Sequence, residues 1–258
     1  MLKRPTGILT CQCVSRRAFL GGAGAAALPP LSGCNYLPID LVSDEKVEAM
    51  GLRAWEELMA ASQPSDNPAL QEMADRVSGR LLAAAGEAPE NWEILVLERP
   101  EINAFALPGN KIGVFEGMFR VVETEDQLAA IIGHEIGHLG AEHSQERMNT
   151  QLLTDLGLRA LTFLLQAGEV QYASEIAAAL GIGVEYGVVL PYSRRQELEA
   201  DRLGLIAMAS AGYDPRSAVA LWRRMDAVGR SRTPEFLATH PAPGSRIEAI
   251  EAMLPDLI

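Results

Sequence analysis

The sequence predicts a mainly helical α+β fold in which one small β-sheet is set among helices. Three observations carry that expectation. Aromatic residues make up only 5% of the chain while Ala, Leu, Glu and Arg are abundant, a composition that favours helix over a sandwich or barrel. From Thr124 onward apolar residues recur at helical spacing almost without a break. Ahead of that stretch, three short runs between Trp92 and Phe115 have strand character. With 258 residues, 48% of them hydrophobic, the chain holds enough material for one packed domain and a short appendage.

The appendage comes first. Residues 1–33 carry a basic start, the pair Arg16 and Arg17 followed by Ala18, Phe19 and Leu20, and a soft Gly- and Ala-rich stretch too short to span a bilayer. They resemble a twin-arginine export signal. The signal closes on Leu31, Ser32, Gly33, Cys34, which resembles a lipobox, so Cys34 is the expected lipidation site and first mature residue. Residues 34–42 then form an anchor linker, and 43–258 the folded domain. Cys11 and Cys13 leave with the signal, so no internal disulfide is expected. Cleavage removes four basic residues and no acid, taking the net charge from −12 to −16. Such an acidic domain repels nucleic acid and anionic headgroups, so nucleic acid is not an expected partner and membrane attachment falls to acyl chains at Cys34. Asn35 stands where an inner-membrane lipoprotein often has Asp, which points to the periplasmic face of the outer membrane.

Within the domain, Ser43 caps a first helix with Val47, Trp55 and Leu58 near helical spacing, and Pro68 opens a second that Gly86 closes. Strands are expected over Trp92–Leu97, Ala104–Leu107 and Lys111–Phe115, the last two joined by a turn at Pro108, Gly109 and Asn110. Helices are expected from Thr124 to about Met148, from about 151 to 166 and 170 to 189, then over Ser193–Ala211, Pro215–Val228 and Gly244–Leu254. Leu152–Leu190 is very apolar, yet Asp155, Arg159, Glu169, Glu175 and Glu185 interrupt it, which favours buried or lid-like helices over a membrane span.

The chemistry is concentrated in His134, Glu135, Ile136, Gly137, His138, an HExxH pattern inside a helical stretch. Residues four apart on a helix share a face, so both imidazoles can converge on one Zn²⁺ ion. Glu135 is turned about 100° from His134 and so can hold and deprotonate a water beside the ion. A third protein ligand must come from elsewhere, because Glu142 would place three donors in line along one helix. The longer pattern with a third histidine fails at Ala141 and Ser144. Glu197 supplies a His₂Glu set, and Asp201, one turn on, can accept the second N–H of a ligand histidine. Glu199 points about 200° away from Glu197. His143 is expected to face away from the metal as a structural residue.

At this point the residues resemble a known family, the HtpX and CAAX-prenyl-protease type of zinc metallopeptidase, with its BepA/LoiP-like bacterial lipoprotein branch. The resemblance rests on Ile102–Met118, the HEIGH helix, Leu190–Leu205, Ala211–Pro215 and Thr239–Arg246. It implies a compact zincin-like domain of gluzincin type, zinc held by His134, His138 and Glu197, Glu135 as base, and Asp201 behind His134. It also implies that the strand Lys111, Ile112, Gly113, Val114 is the edge on which substrate backbone pairs. Gly109, Asn110 stands where family members usually have Gly-Gly.

His240 falls in the family motif, in a Pro-bounded turn, and either donates to the oxyanion or fills zinc's open position at rest. Tyr192 and Arg246 are further oxyanion-donor candidates. The expected activity is zinc-dependent endopeptidase cleavage of unfolded or misfolded exported polypeptides in the cell envelope. The alternative is a non-catalytic zinc-dependent chaperone, in which Glu135 would have no task.

Overall fold

The computed structural model describes residues 42–152, 192–229, 234–241 and 243–257. The expectations for the signal, for Cys34 and for helices between 153 and 189 lie outside the described residues. At the other end of the linker, Val42 is already part of the fold: its amide donates to Asn149 and its carbonyl accepts from Gln145.

Helix α1 (Asp44–Ala61) starts after Ser43, and α2 (Pro68–Ala85) starts with proline at its first position. The Asn67 side chain accepts from the Ala69 amide, and Gly86 ends α2 in the left-handed region at φ 75°. Three strands follow, β1 (Glu93–Leu97), β2 (Ala104–Leu107) and β3 (Lys111–Phe115). The β2–β3 turn needs two residues at positive φ, Gly109 at 88° and Asn110 at 60°. Asn is the side chain that tolerates this best, so Gly109-Asn110 replaces Gly-Gly without breaking the hairpin.

The sheet order is β1-β3-β2, with β1 parallel and β2 antiparallel to β3. This corrects the expectation for Lys111, Ile112, Gly113 and Val114. Those residues form the central strand, paired on both sides, and Lys111 is tied to Glu93 of β1 by a 2.8 Å ion pair. The outer side of β1 is covered in turn, since Ser65 donates to Val96 and Glu98 donates to Gln63. Among the described residues, β2 pairs only with β3 and therefore carries the open edge.

Helix α3 (Glu125–Gly140) is capped by Thr124, whose hydroxyl accepts from the Gln127 amide, and is buried continuously from Gln127 to His138. A helix buried all round has no solvent face and must be the centre of its domain. The expected continuation to Met148 is interrupted. Gly140 and Ala141 end α3, Glu142 sits in the left-handed region at φ 57°, and a new helix, α4, runs through 143–152. A non-glycine there costs about 1–2 kcal/mol, so the break is imposed by what lies beyond it.

Helix α5 (Arg194–Ser210) opens with a full capping box, Ser193 and Gln196 bonding each other's backbone amides. Helix α6 (Arg216–Gly229), the short α7 (Glu235–Thr239) and α8 (Pro243–Met253) complete the described chain. The core joins Val77, Leu81 and Leu82 of α2, Val96, Ala106, Ile112 and Val114 of the sheet, Leu128, Ile131 and Ile132 of α3, Met208 of α5, and Leu221 and Met225 of α6. No helix among the described residues is long and apolar enough to cross a membrane.

The packing that positions the site is the contact of α3 with α5. A Cβ on Gly204 would lie 2.9 Å from the Gly133 carbonyl carbon and from the His134 amide nitrogen, and one on Gly137 would lie 2.8 Å from the Ala200 carbonyl oxygen. The helices meet backbone to backbone, and only missing side chains allow it. Gly204→Ala is therefore expected to destabilise the protein by about 1–3 kcal/mol and to lower its metal content. By contrast Gly79, inside α2 with nothing within 4 Å of an added Cβ, is expected to gain about 0.5–1 kcal/mol as alanine. Urea unfolding of both variants, with metal analysis, checks the pair; equal effects at the two glycines would contradict it.

Candidate metal centre

The face of α3 turned toward α5 carries His134 and His138, whose Nε2 atoms lie 3.0 Å apart. Glu197, in the first turn of α5, brings Oε1 to 3.3 Å from His138 Nε2 and Oε2 to 3.7 Å from His134 Nε2. His240, the C-cap of α7, completes a group of four in which one ligand atom from each residue lies within 4.8 Å of all the others. All four side chains are buried. The sequence expectation assembled the first three from two distant segments, and the fold brings them together.

Two tests bear on whether a cation fits. Two nitrogens bound to one tetrahedral zinc at about 2.0–2.1 Å stand about 3.3 Å apart, close to the spacing found here. In addition, both Glu135 oxygens, both Glu197 oxygens and His240 Nε2 are buried without a well-formed hydrogen bond. Buried polar atoms of this kind are costly unless something satisfies them, and a divalent cation satisfies several at once. The residues fit a metal.

The electrostatics agree. Burial, then the Arg246 charge, pushes His134 down to about 4, and burial and the neighbouring imidazoles hold His138 far below the usual histidine range. Burial, then His134 and Arg246, holds His240 well below the usual histidine range. All three are neutral at pH 7, the form that binds metals. Burial, reinforced by Glu197, pushes Glu135 up to about 8, with Arg246 and the Ala106 amide pulling the other way. Burial also pushes Glu197 up to about 8 against the pull of Arg246. Arg246 alone does not offset the burial of the two carboxyls, and the further positive charge they call for is what a dication supplies.

Around this core the structure places residues for which the sequence suggested other roles. Arg246 is fully buried and its guanidinium is engaged by Asp201 and Glu197 rather than turned to the cleft. Its Nε and Nη2 donate to the two Asp201 oxygens at 2.7 and 2.6 Å, its Nη1 lies 2.5 Å from Glu197 Oε2, and its guanidinium lies 3.7 Å over the Trp222 ring. Burial works to raise Asp201, but Arg246 and His134 together hold it down at about 2. Asp201 Oδ1 is 3.0 Å from His134 Nδ1, the placement expected of an acceptor behind a ligand histidine.

Tyr192 stacks on the His138 ring at 3.9 Å between centroids. The His240 ring lies flat on Phe236 at 4.3 Å, with Nδ1 3.2 Å from the Phe236 carbonyl oxygen. Thr239 Oγ1 lies 2.9 Å from the same Nδ1, and because the carbonyl can only accept, a proton on Nδ1 suits both contacts and leaves Nε2 bare, 3.6 Å from Glu135 Oε1.

His143 is the clearest departure. Helical periodicity turned it away from the metal, but the break at Glu142 resets the register, and its Nδ1 lies 2.9 Å from His138 Nδ1. Gly140, followed by Ala141, is the one local signal of a helix end that the periodicity overrode. The site opens on a cleft of about 500 Å³ between α1, β2 and α4, lined by Val47, Met50, Leu58, Phe105, Leu107 and Met148 among others. The contribution of α1 to this cleft had no sequence signature.

Comparison with known proteins agrees with the geometry. The profile of peptidase family M48 matches residues 64–254. The chain is 35% identical over 251 residues to the mitochondrial metalloendopeptidase OMA1 of Schizosaccharomyces pombe, covering 93% of this chain and 71% of that protein. It is 34% identical over 174 residues to human metalloendopeptidase OMA1, covering 65% of this chain and 33% of the relative. It is 29% identical over 188 residues to the beta-barrel assembly-enhancing protease of Escherichia coli, covering 70% of this chain and 38% of the relative. With the family profile spanning most of the chain and every residue of the metal cluster inside it, the chain belongs to peptidase family M48 and is a metal-dependent endopeptidase.

Proposed function

We propose that this chain is a zinc endopeptidase of the bacterial cell envelope that cleaves unfolded or misfolded exported polypeptides and is anchored by lipid at Cys34. The observation that carries the peptidase reading is the buried His134–His138–Glu197 cluster opening, beside Glu135, on a cleft bounded by an unpaired strand edge. Zinc suits a His₂Glu set with one further position, and when bound it supplies Lewis acidity toward the scissile carbonyl and toward water. The relative named for beta-barrel assembly is consistent with work on envelope proteins.

The protein's own residues have separable tasks. The β2 edge, Ala104–Leu107, receives substrate backbone as an added strand, in place of the central β3. Pairing of this kind reads main chain before side chain, which suits unfolded clients; the apolar lining of the cleft adds a preference for large hydrophobic residues next to the cut. Glu135 takes a proton from the attacking water and returns it to the leaving nitrogen. Asp201 fixes the His134 tautomer, and Arg246 holds Asp201 and Glu197 in place. His240, with Nδ1 held by Phe236 and Thr239 and Nε2 among the ligand atoms, would be a further metal ligand at rest and would have to withdraw for substrate to enter.

These assignments are tested by variants and by chelation. Glu135→Gln is expected to abolish casein cleavage while the purified protein keeps about one zinc per chain, since the amide cannot act as base and is not needed as ligand. Loss of zinc in that variant, or unchanged cleavage, would refute the role. Chelation should abolish cleavage in the wild type and zinc should restore it. His240→Ala is expected to keep zinc through the remaining three ligands and to show raised basal or self-cleavage. A fall in kcat on the order of a hundredfold would instead identify an oxyanion donor. Finally, Cys34→Ser should move the protein out of the membrane fraction and end palmitate labelling, and replacing Arg16 and Arg17 by lysine should block export; equal labelling of wild type and Cys34→Ser would rule out the anchor.

A further inference from the structure

Once Nε2 of a neutral imidazole faces a cation, its proton sits on Nδ1, and that N–H needs a buried acceptor. His134 meets the requirement directly through Asp201, 3.0 Å from its Nδ1. His138 does not. Among the described residues its carboxylate contact, with Glu197, is made through Nε2, and what faces its Nδ1 is another histidine nitrogen, His143 Nδ1, at 2.9 Å. His143 Nε2 in turn lies 3.5 Å from Glu199 Oε2, an ion-pair distance without a well-formed hydrogen bond.

Only one proton arrangement is consistent with these distances and a cation at His138 Nε2. His138 donates from Nδ1–H to the Nδ1 lone pair of His143. His143, neutral and already accepting at Nδ1, carries its proton on Nε2, the ring nitrogen that faces the Glu199 carboxylate across 3.5 Å. We propose that His143 and Glu199 form a relay that positions His138 as a metal ligand, performing through two residues what Asp201 performs alone for His134. The relay rests on the metal-centre reading above.

The local fold supports a built device. The left-handed Glu142 is what swings His143 back against α3, and the His143 ring is 1% exposed and edge-on to His138 with centroids 5.0 Å apart. Tyr192 stacks on the face of the His138 ring while His143 meets its edge, so stacking fixes its plane and the relay fixes its rotation. The two halves are unequal. His143 is buried, whereas the Glu199 side chain is 47% exposed and shared with Arg195 at 3.2 Å, so solvent and a cation weaken its pull. His143 is the main positioning residue, and Glu199 tunes it.

The test is zinc affinity of the full chain, measured by competition with a chromophoric chelator, together with the unfolding temperature of each metal-free variant. His143→Leu is expected to weaken zinc binding about 10–100-fold. His143→Gln, whose amide can both accept and donate, is expected to stay within a few fold of wild type, and Glu199→Ala to lose less than about 10-fold. In the double variant Glu199→Ala should add nothing to His143→Leu. If His138→Ala loses zinc but His143→Leu binds it as tightly as wild type, the relay is wrong and the metal centre stands; if His138→Ala keeps zinc, the metal centre itself is wrong. Should His143→Leu fail to fold, the ring ¹⁵N shifts of the zinc-loaded wild type decide. An Nε2–H tautomer of His143 is expected, and an Nδ1–H tautomer overturns the proposal.

Discussion

The backbone-to-backbone meeting of α3 and α5 at Gly133, Gly137, Ala200 and Gly204 is the constraint from which the rest of the site follows. His134 and His138 flank Gly137 on one helix, and Glu197 and Asp201 flank Ala200 on the other, so the distance between backbones sets the distance between ligand atoms. With ordinary side chains in the seam, helix axes separate to about 8–10 Å and carboxylates shorter than lysine would no longer reach both imidazoles. Closeness at the seam thus converts a helix pair into a ligand cage. It also explains why α3 is buried all round: the sheet and α2 cover one side, and α5 and α6 the other.

A cage of this kind is expensive before it is filled. Glu135, Glu197 and Asp201 are buried together, and one guanidinium, that of Arg246, lies among them. Removing an ion from water costs several kcal/mol even after relaxation, more than any single packing contact returns. Arg246 offsets this for Asp201, with two good hydrogen bonds, and only partly for Glu197, whose contact is close but poorly aligned. Glu135 has no well-formed hydrogen bond and is left with the weak pulls of Arg246 and the Ala106 amide. The gradient of compensation, full for Asp201 and weakest for Glu135, follows the order in which these groups would be fixed in place or left free to exchange protons.

The placement of the sheet has a related logic. β3 is enclosed and β1 is covered by residues 63–65, so the one open edge among the described strands lies beside the site. An exposed edge is a liability in a soluble domain because it invites pairing with any extended chain. Here the edge is short, four residues, and lies against a cleft that α1 and α4 wall in. The same property that makes edges hazardous elsewhere is what the proposed pairing with extended main chain would use.

What the sequence determined by itself were the features set by local spacing. The i,i+4 histidines, the capped starts at Thr124 and Ser193, the proline at the head of α2 with Gly86 at its end, and the turn at Gly109-Asn110 are all fixed by interactions within a few residues, which is why their positions were legible before any fold was known. Strand extents were legible for the same reason, but strand order was not. Two antiparallel neighbours read the same whether a third strand pairs outside one or the other, and only the parallel addition of β1 to β3 made Lys111–Phe115 central. Likewise periodicity extrapolates through a helix break: it carries His143 away from His138, whereas Glu142 at φ 57° turns it back against the Nδ1 side of that ring. Arg246, 45 residues from Asp201, looked like any cation near a motif; its burial between two carboxylates and Trp222 exists only once α5, α6 and α8 have packed. Tertiary structure decided these points because each depends on which surfaces are removed from water together, and no local pattern encodes that.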